Sequence, residues 1–221
     1  MHLNKAVADS RSVALPFAVG LFFYTVIGSG IYLALGKEGA HEFLNSYHTP
    51  YLDQAFKYLT HVGHGLVPVI AFLLLLLARY SWALGMGVSS LAMAVVVQGL
   101  KRSVFAGDHR PAMFFKDGGL PAIEGVELML HHSFPSGHSA TAFCICLMFA
   151  FIIKQKWATF FLLILALLIA FSRVYISQHF IQDTIVGGWI GFFMAYLGYL
   201  FIVHAAEVDP DSKLNKRLWP S

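Results

Sequence analysis

Long apolar stretches constrain the fold of this chain more than any other feature. Of its 221 residues, 57% are hydrophobic and 12% are charged, whereas soluble domains carry about 25% charged residues. A helix needs roughly 20 mostly apolar residues to cross a bilayer, and about six segments approach or reach that length. They are residues 15–35, 66–78 (in a helix beginning near residue 59), 82–100, 136–153, 157–171 and 184–203. We therefore predict an all-α polytopic membrane protein, with residues 1–221 forming one domain, a six-transmembrane helix bundle.

The basic residues between these segments predict their orientation. Short connections that carry Lys and Arg tend to stay in the cytoplasm. One set of connections, together with both termini, carries Lys5, Arg11, Arg79, Lys154, Lys156, Lys213, Lys216 and Arg217. The other set would then lie on the outer face of the membrane. It consists of an aromatic-rich segment, residues 38–60, in which Pro50 separates short interfacial helices, and an extracytoplasmic loop over residues 104–135.

The sequence Pro135-Ser136-Gly137-His138 opens the fourth apolar segment. The first N–H groups of a helix have no internal partners and the helix dipole is positive there, so this end binds phosphate readily. The Ser136 hydroxyl can donate a hydrogen bond, Gly137 lets phosphate oxygens approach the backbone, and His138 would face the same ligand. A serine N-cap beside a glycine looks the same in sequence, so this motif gains weight only in combination with others.

A second polar group joins the fifth and sixth segments. Arg173 ends the fifth, and His179 and Asp183 share one face at the start of the sixth because they are four residues apart. An Asp beside a His fixes its tautomer and leaves the other ring nitrogen free to attack phosphorus. Arg173 can grip phosphoryl oxygens with its planar guanidinium. A pair that merely caps a helix is the alternative, but the gathering of these groups on one predicted side favours a phosphate site.

Three bases precede these motifs. Lys101 and Arg102 end the third segment, and Arg110 precedes Pro111 in the long loop. They could neutralise a phosphate, or they could simply extend to the membrane boundary as long basic side chains often do. Successive helix positions point about 100° apart, so Lys101 and Arg102 should not both face the site.

Together these residues resemble the type 2 phosphatidic acid phosphatase (PAP2) superfamily, in its bacterial membrane lipid phosphatase branch. The family signature is K-x6-R-P, then P-S-G-H, then S-R-x5-H-x3-D. Its second and third parts are complete here, at residues 135–138 and 172–183. In the first part Ser103 stands where the pattern has lysine, so Lys101 is two residues further from Arg110 than the pattern allows. We expect residues around Gly107 to absorb this shift and Lys101, with its flexible stem, to reach the phosphate rather than Arg102.

The resemblance implies a phosphatase that uses no metal or other cofactor and forms a phosphohistidine. His179 would be the nucleophile, Asp183 its partner, and His138 the acid that protonates the leaving oxygen and later activates water. The residues that would hold the phosphate are Lys101, Arg110, Ser136, Gly137 and Arg173. The implied partners are a lipid phosphate and membrane lipids, with no nucleic acid, and the oligomeric state is left open.

The many bases predicted at the outer helix ends favour a polyanionic headgroup. They are Lys101, Arg102, Arg110, Lys116 and Arg173. We therefore predict undecaprenyl diphosphate as the substrate, because family members remove phosphate from this lipid. Other family members act on phosphatidylglycerophosphate and on lipid A, which are the alternatives. The same residues would serve a phosphotransferase with a lipid acceptor. A non-catalytic lipid-binding protein is disfavoured because His138, His179 and Asp183 are all intact, and a vanadate-dependent haloperoxidase is disfavoured because the chain is so apolar.

Overall fold

The described part of the chain is mainly helical. In the computed structural model it comprises residues 2–115, 119–121, 123–209 and 211–218, with side chains described from residue 10 onward. The helices are α1 (His2–Leu44), α2 (Pro50–Leu59), α3 (Leu66–Ala78), α4 (Tyr80–Arg102), α5 (Pro111–Phe114), α6 (Gly137–Ile153), α7 (Lys156–Tyr175), α8 (Ile181–Gly198) and α9 (Ala205–Val208). No β-strand occurs in these ranges, and one isolated antiparallel bridge joins His109 to His131.

Four helical runs are long and apolar enough to cross a membrane. They are Ser10–Leu44, Tyr80–Arg102, Lys156–Tyr175 and Ile181–Val208. A fifth arises if Pro50–Gly63 and Leu66–Ala78, which meet at a bend of 56°, form one span. The described residues therefore give an all-helical membrane protein with four or five candidate spans.

The expected start of the second span is wrong. A helix that began near residue 59 and ran on to residue 78 would be long enough to cross a bilayer. Instead, the chain forms a 3₁₀ turn over Thr60–Gly63, bends, and begins α3 only at Leu66. The 13 residues of α3 are about 20 Å long. Gly63, just before the bend, packs its backbone on α6, where an added Cβ would lie 2.9 Å from the His138 carbonyl oxygen.

Helix α6 lies at the centre of the bundle. It packs mainly against α7 and α8, and α8 also packs against α1 and α4. Two glycines on α8 bring its backbone onto α6: an added Cβ would lie 2.3 Å from Ser136 O at Gly187 and 2.1 Å from Ala140 O at Gly191. Small residues four apart are a common device for close helix packing in membranes. This contact brings the start of α8 beside the start of α6, where the candidate site lies.

The two predicted loop regions have local structure of their own. In the segment 38–60, α1 continues past a non-helical Gly36 (φ 74°) to Leu44, and α2 begins at Pro50 as the sequence predicted. Thr49 caps α2 by accepting a hydrogen bond from Leu52 N, and no residue of α2 is buried. The described part of the loop 104–135 is irregular except for α5 and the His109–His131 bridge.

The end of the bundle opposite the candidate site is held by contacts of the C-terminal segment. Arg79 donates a hydrogen bond to Asn215, Lys154 pairs with Glu207 at 2.8 Å, and Tyr80 N donates to Lys216 O. Arg79, Lys154 and Lys216, three of the bases predicted for the cytoplasmic side, are therefore at this end.

Candidate active site

The Asp183 carboxylate holds His179 in place at the start of α8. The Nδ1 atom of His179 lies 3.1 Å from Asp183 Oδ2. The same oxygen accepts hydrogen bonds from the Ser133 hydroxyl at 2.5 Å and from Phe180 N at 3.0 Å. A carboxylate at this distance requires the Nδ1–H tautomer, so Nε2 carries the free lone pair.

The His179 ring is buried and uncharged. His179 is 1% exposed. This burial lowers the pKa of His179 well below its ordinary value of 6.5, and the positive charges of Arg110, Arg173 and Lys101 lower it further. The ring is therefore neutral near pH 7, the form in which an imidazole nitrogen is a nucleophile. The three bases are therefore close enough to the ring to act on its charge.

The start of α6 forms the opposite wall of the site. The Ser136 oxygen caps α6, accepting from Ser139 N at 3.3 Å and from the Ser139 hydroxyl at 2.9 Å. Ser136 N donates to Asp183 O at 2.9 Å, which ties this helix end to α8. Gly137 is the first residue of α6 and His138 follows it, half-buried, with its ring 6.0 Å from that of His64. Ser136 thus acts as an N-cap, and the start of α6 is joined directly to Asp183, the partner of His179.

Lys101 faces the site and Arg102 does not. Lys101 is 7% exposed, and its Nζ donates to His132 O at 2.7 Å and to Ser133 O at 3.3 Å. An ammonium has three N–H donors, so one remains for a ligand. Arg102, the next residue along α4, is exposed. Turns over residues 103–108, with Asp108 N donating to Phe105 O, absorb the extra residues between Lys101 and Arg110.

Arg110 is fixed by the loop and by the α7–α8 connection. Its Nε donates to His131 O at 2.9 Å, and its NH1 donates to Gln178 O at 3.2 Å and to Gln178 Oε1 at 2.8 Å. Burial lowers the pKa of the Arg110 guanidinium from its ordinary value, and the Asp183 carboxylate opposes that shift. The guanidinium keeps its charge, because arginine stays protonated in proteins.

Arg173 presents an unused donor to the site. It is 6% exposed, and its NH1 donates to the Thr60 hydroxyl at 2.6 Å. Its Nε is buried and has no hydrogen-bond partner among the described residues. Buried donors are almost always satisfied, so this orphan atom marks a place where an acceptor such as a phosphoryl oxygen fits.

A match to a family model covers the residues that build this site. The model, described as the PAP2 superfamily, matches residues 82–206. The chain belongs to the PAP2 superfamily. All three signature motifs lie within the matched region.

Three known proteins are similar to this PAP2 chain. Lipid A 4'-phosphatase of Bacteroides thetaiotaomicron is 31% identical over 71 residues, which is 32% of this chain and 31% of that protein. The crystal structure of Aquifex aeolicus LpxE has a TM-score of 0.62 and 26% identity, covering 73% of this chain and 93% of that one. A Bacillus subtilis transmembrane PAP2-type phosphatidylglycerolphosphate phosphatase has a TM-score of 0.54 and 22% identity, covering 88% and 98% of the two chains. That last likeness shows the fold.

Four residues at the PAP2 site went unnoticed in the sequence. Ser133 donates a hydrogen bond to the Asp183 carboxylate, Gln178 accepts one from Arg110, and Thr60 accepts one from Arg173. The fourth, Lys37, lies over the rings of Phe114 and Phe180 with its Nζ 4.7 and 4.4 Å from their centroids. Each of the four is remote in sequence from the residue that it contacts, so motif spacing gave no signal. Only Ser133 and Gln178 could have been noticed, because they are polar residues close to Pro135 and His179 of the two complete motifs.

The bases expected near the phosphate do not all gather there. Lys101, Arg110 and Arg173 surround His179, whereas Arg102 is exposed and Lys116 lies outside the described residues. Within the described ranges, no three His, Cys, Asp or Glu side chains are grouped closely enough to hold a metal ion.

Proposed function

We propose that this PAP2 protein is an integral-membrane lipid phosphatase that works through a phosphohistidine at His179. The observation that carries the proposal is the neutral His179 ring, held through Nδ1 by Asp183 and surrounded by Lys101, Arg110 and Arg173. Such a set combines an oriented nucleophile with cationic groups that stabilise a phosphoryl transition state.

In the first step His179 Nε2 attacks the phosphorus of a lipid phosphate. A nitrogen–phosphorus bond forms as the bond from phosphorus to the lipid oxygen breaks. His138, which takes up a proton in the complex with the anionic phosphate, donates it to that departing oxygen, and Asp183 stabilises the positive charge that develops on the His179 ring. The half-buried position of His138, at the open side of the site, suits a group that meets the leaving lipid.

In the second step water replaces the lipid. His138, now neutral, takes a proton from a water molecule, whose oxygen attacks the phosphorus. The nitrogen–phosphorus bond breaks, inorganic phosphate leaves, and the His179 ring returns to its starting form. A phosphotransferase would use the same residues with a lipid hydroxyl in place of water.

Side chains supply the positive charge that a metal ion supplies in many phosphatases. Lys101, Arg110 and Arg173 would bind the phosphoryl oxygens together with the N–H groups at the start of α6, near Ser136 and Gly137. Activity that survives excess EDTA supports this part of the proposal. Activity that is lost in EDTA and restored by a divalent cation would contradict it.

We further propose that the chain crosses a bacterial cytoplasmic membrane six times, with the site on the outer face. The six are the four long helical runs together with α3 and α6. In this arrangement α2 lies in the outer interface before the bend that leads into α3. The 17 residues of α6 reach about 26 Å, close to the roughly 30 Å of a hydrocarbon core. By the positive-inside rule, the end that carries Arg79, Lys154 and Lys216 would face the cytoplasm.

Cysteine labelling tests this orientation. Gly119 lies in the outer loop, is exposed, and has room for a Cβ; Arg217 is exposed at the opposite end. The native Cys144 and Cys146 are buried and should stay unlabelled. In intact cells a membrane-impermeant maleimide should label Gly119→Cys and spare Arg217→Cys. The reverse pattern would overturn the orientation.

For the substrate, we propose first a lipid A phosphate. One relative is named as a lipid A 4'-phosphatase, and three cations near His179 suit a phosphate monoester. Undecaprenyl diphosphate, the substrate that the sequence favours, is the second candidate. The sequence argument for it uses five bases, of which three lie near His179. Lys37, whose Nζ lies over the Phe180 ring, could bind its second phosphate.

A substrate panel separates these candidates. Purified protein would be given lipid A, undecaprenyl diphosphate, phosphatidylglycerophosphate and phosphatidic acid, and phosphate release measured. The proposal predicts the highest kcat/KM for lipid A. A much higher kcat/KM for another lipid would overturn the substrate and leave the mechanism intact; transfer of phosphate to a lipid acceptor in place of release would indicate the phosphotransferase.

Ser133→Ala should lower kcat with little change in KM. The Ser133 hydroxyl binds the Asp183 oxygen that also holds His179, and it is not placed to hold the phosphate. A hydrogen bond to a charged group contributes about 1.5–3 kcal/mol, so the expected loss is about ten- to a hundredfold. Ser103→Ala is the control, because that hydroxyl binds only its own helix at Gly99 O. Equal activity of the two variants would show that Ser133 does not position the catalytic pair.

A further inference from the structure

A cavity of about 620 Å³ lies between α3, α4 and α6 and meets the candidate site at one end. Most of its wall is apolar, contributed by side chains such as Pro68, Phe72, Leu84, Met93 and Val97. The proposed chemistry at His179 makes no use of this space. We call it the α3–α4 groove.

One end of the groove opens at the candidate site. His138 and Gly137, at the start of α6, are part of its lining, and His64 and Gln98 lie at the same end. The polar lining residues are therefore concentrated where the phosphate site begins. The Ser90 hydroxyl, deeper in the groove, contacts the sulfur atoms of Met86 and Cys144 at 3.9 and 4.0 Å.

The groove runs far into the bundle along α4. Its lining extends along that helix from Gln98, near the site, to Leu84, a distance of about 21 Å at the rise of an α-helix. This exceeds half of the roughly 30 Å hydrocarbon core. Phe72 lies at the far end against Gly87, where an added Cβ would be 2.8 Å from the phenyl ring.

The groove is open along its side. Several lining residues of α3 and α4 are also exposed on the outer surface of the bundle, among them Val69 at 51% and Leu91 at 67%. A chain that leaves the bilayer sideways could enter here without crossing a polar barrier. The short α3 contributes to this opening, because the chain bends away at residues 64–65 before the helix begins.

We propose that the α3–α4 groove binds one hydrocarbon chain of the lipid substrate, with the phosphate at His138 and the chain end near Phe72 and Leu84. This rests on the proposed function, since it takes the occupant to be the tail of the lipid whose phosphate is removed. Continuity with the site, an apolar wall and a length suited to an extended lipid chain select this occupant.

Photocrosslinking tests the position of the chain without requiring turnover. Hexadecyl phosphate with a diazirine at the end of its chain would be bound to the full-length protein in detergent, in wild type and in His179→Ala, which preserves the probe. Mass spectrometry should place the labels at Phe72, Leu84 and their neighbours. Inorganic vanadate, which occupies the phosphate site, should lower this labelling in wild type. Labels spread evenly over the lipid-facing surfaces of α1, α7 and α8 would overturn the proposal.

Two adjacent substitutions provide a matched test. Ala94 lines the groove, whereas Val95 is 64% exposed and is not part of the lining. Ala94→Trp should block the groove and abolish the labels at Phe72 and Leu84, while Val95→Trp should leave them. For hexadecyl phosphate, kcat/KM should fall at least about tenfold in Ala94→Trp, the equivalent of losing the burial of about two methylene groups. For p-nitrophenyl phosphate, which has no chain, both variants should match wild type.

A further variant, Leu84→Trp, covers the case in which Ala94→Trp does not fold. It narrows only the far end, so labelling by the hexadecyl probe should fall while a decyl phosphate probe still binds. Equal labelling by both probes would overturn the groove proposal even if the enzyme is active. Conversely, groove labelling without phosphate release from any lipid by wild type would overturn the proposed function and leave the binding site standing.

Discussion

His179→Ala is expected to lower kcat for lipid phosphate hydrolysis by at least about 10³-fold, because removing the nucleophile removes the covalent route itself. His179 is the ring that Asp183 orients and that three cations surround. The loss should come without unfolding, which size-exclusion chromatography and circular dichroism in detergent would check.

The matched control is His61→Ala. His61 lies in the 3₁₀ turn beside the site, but its side chain is exposed, so activity should match wild type. Turnover by His179→Ala within tenfold of wild type would exclude a phosphohistidine at this position.

The second large effect is expected at Lys101. Lys101→Ala should lower kcat/KM by about 10²-fold, the typical loss when one preorganised donor to a developing charge is removed. Arg102→Ala should stay within about threefold of wild type, because an exposed arginine at a membrane boundary contributes mainly through its stem. The two residues are neighbours on α4 and carry the same charge, so they form a control pair with equal net-charge change.

Phosphate release by the two variants, measured at several substrate concentrations, decides between them. A larger loss in Arg102→Ala would show that Arg102 binds the phosphate. Equal small losses would show that neither base does, and that Arg110 and Arg173 hold it alone.

The sequence predicted which neighbouring residues interact at the site better than it predicted contacts between distant segments. Spacing alone placed His179 and Asp183 on one face, and the structure has them 3.1 Å apart. It also predicted a helix beginning at Ser136-Gly137, since Ser and Gly have specific helix-cap chemistry. Local rules succeed here because each pair lies within a few residues of one helix N-terminus, although His179 itself precedes α8, which begins at Ile181.

Contacts between distant segments escaped the sequence analysis. Ser133 and Asp183 are 50 residues apart and Thr60 and Arg173 are 113 apart, so no local rule joins them. The small-residue pair Gly187 and Gly191 did carry a signal, a small-x-x-x-small spacing, that could have predicted the close packing of α8 on α6. The bend before α3 left no comparable sign, because the sequence around Gly63 does not show that its backbone packs against α6.

Trapping the covalent intermediate tests the central claim most directly. Wild-type protein would be mixed rapidly with a radiolabelled lipid phosphate that it hydrolyses, and quenched in alkali, in which phosphohistidine is stable and acyl phosphates are not. The account predicts a transient label that is stable to alkali and labile to acid, located by mass spectrometry on His179 and absent in His179→Ala. Burst-phase phosphate release from wild type with no label on His179, or a label on another residue, would contradict it.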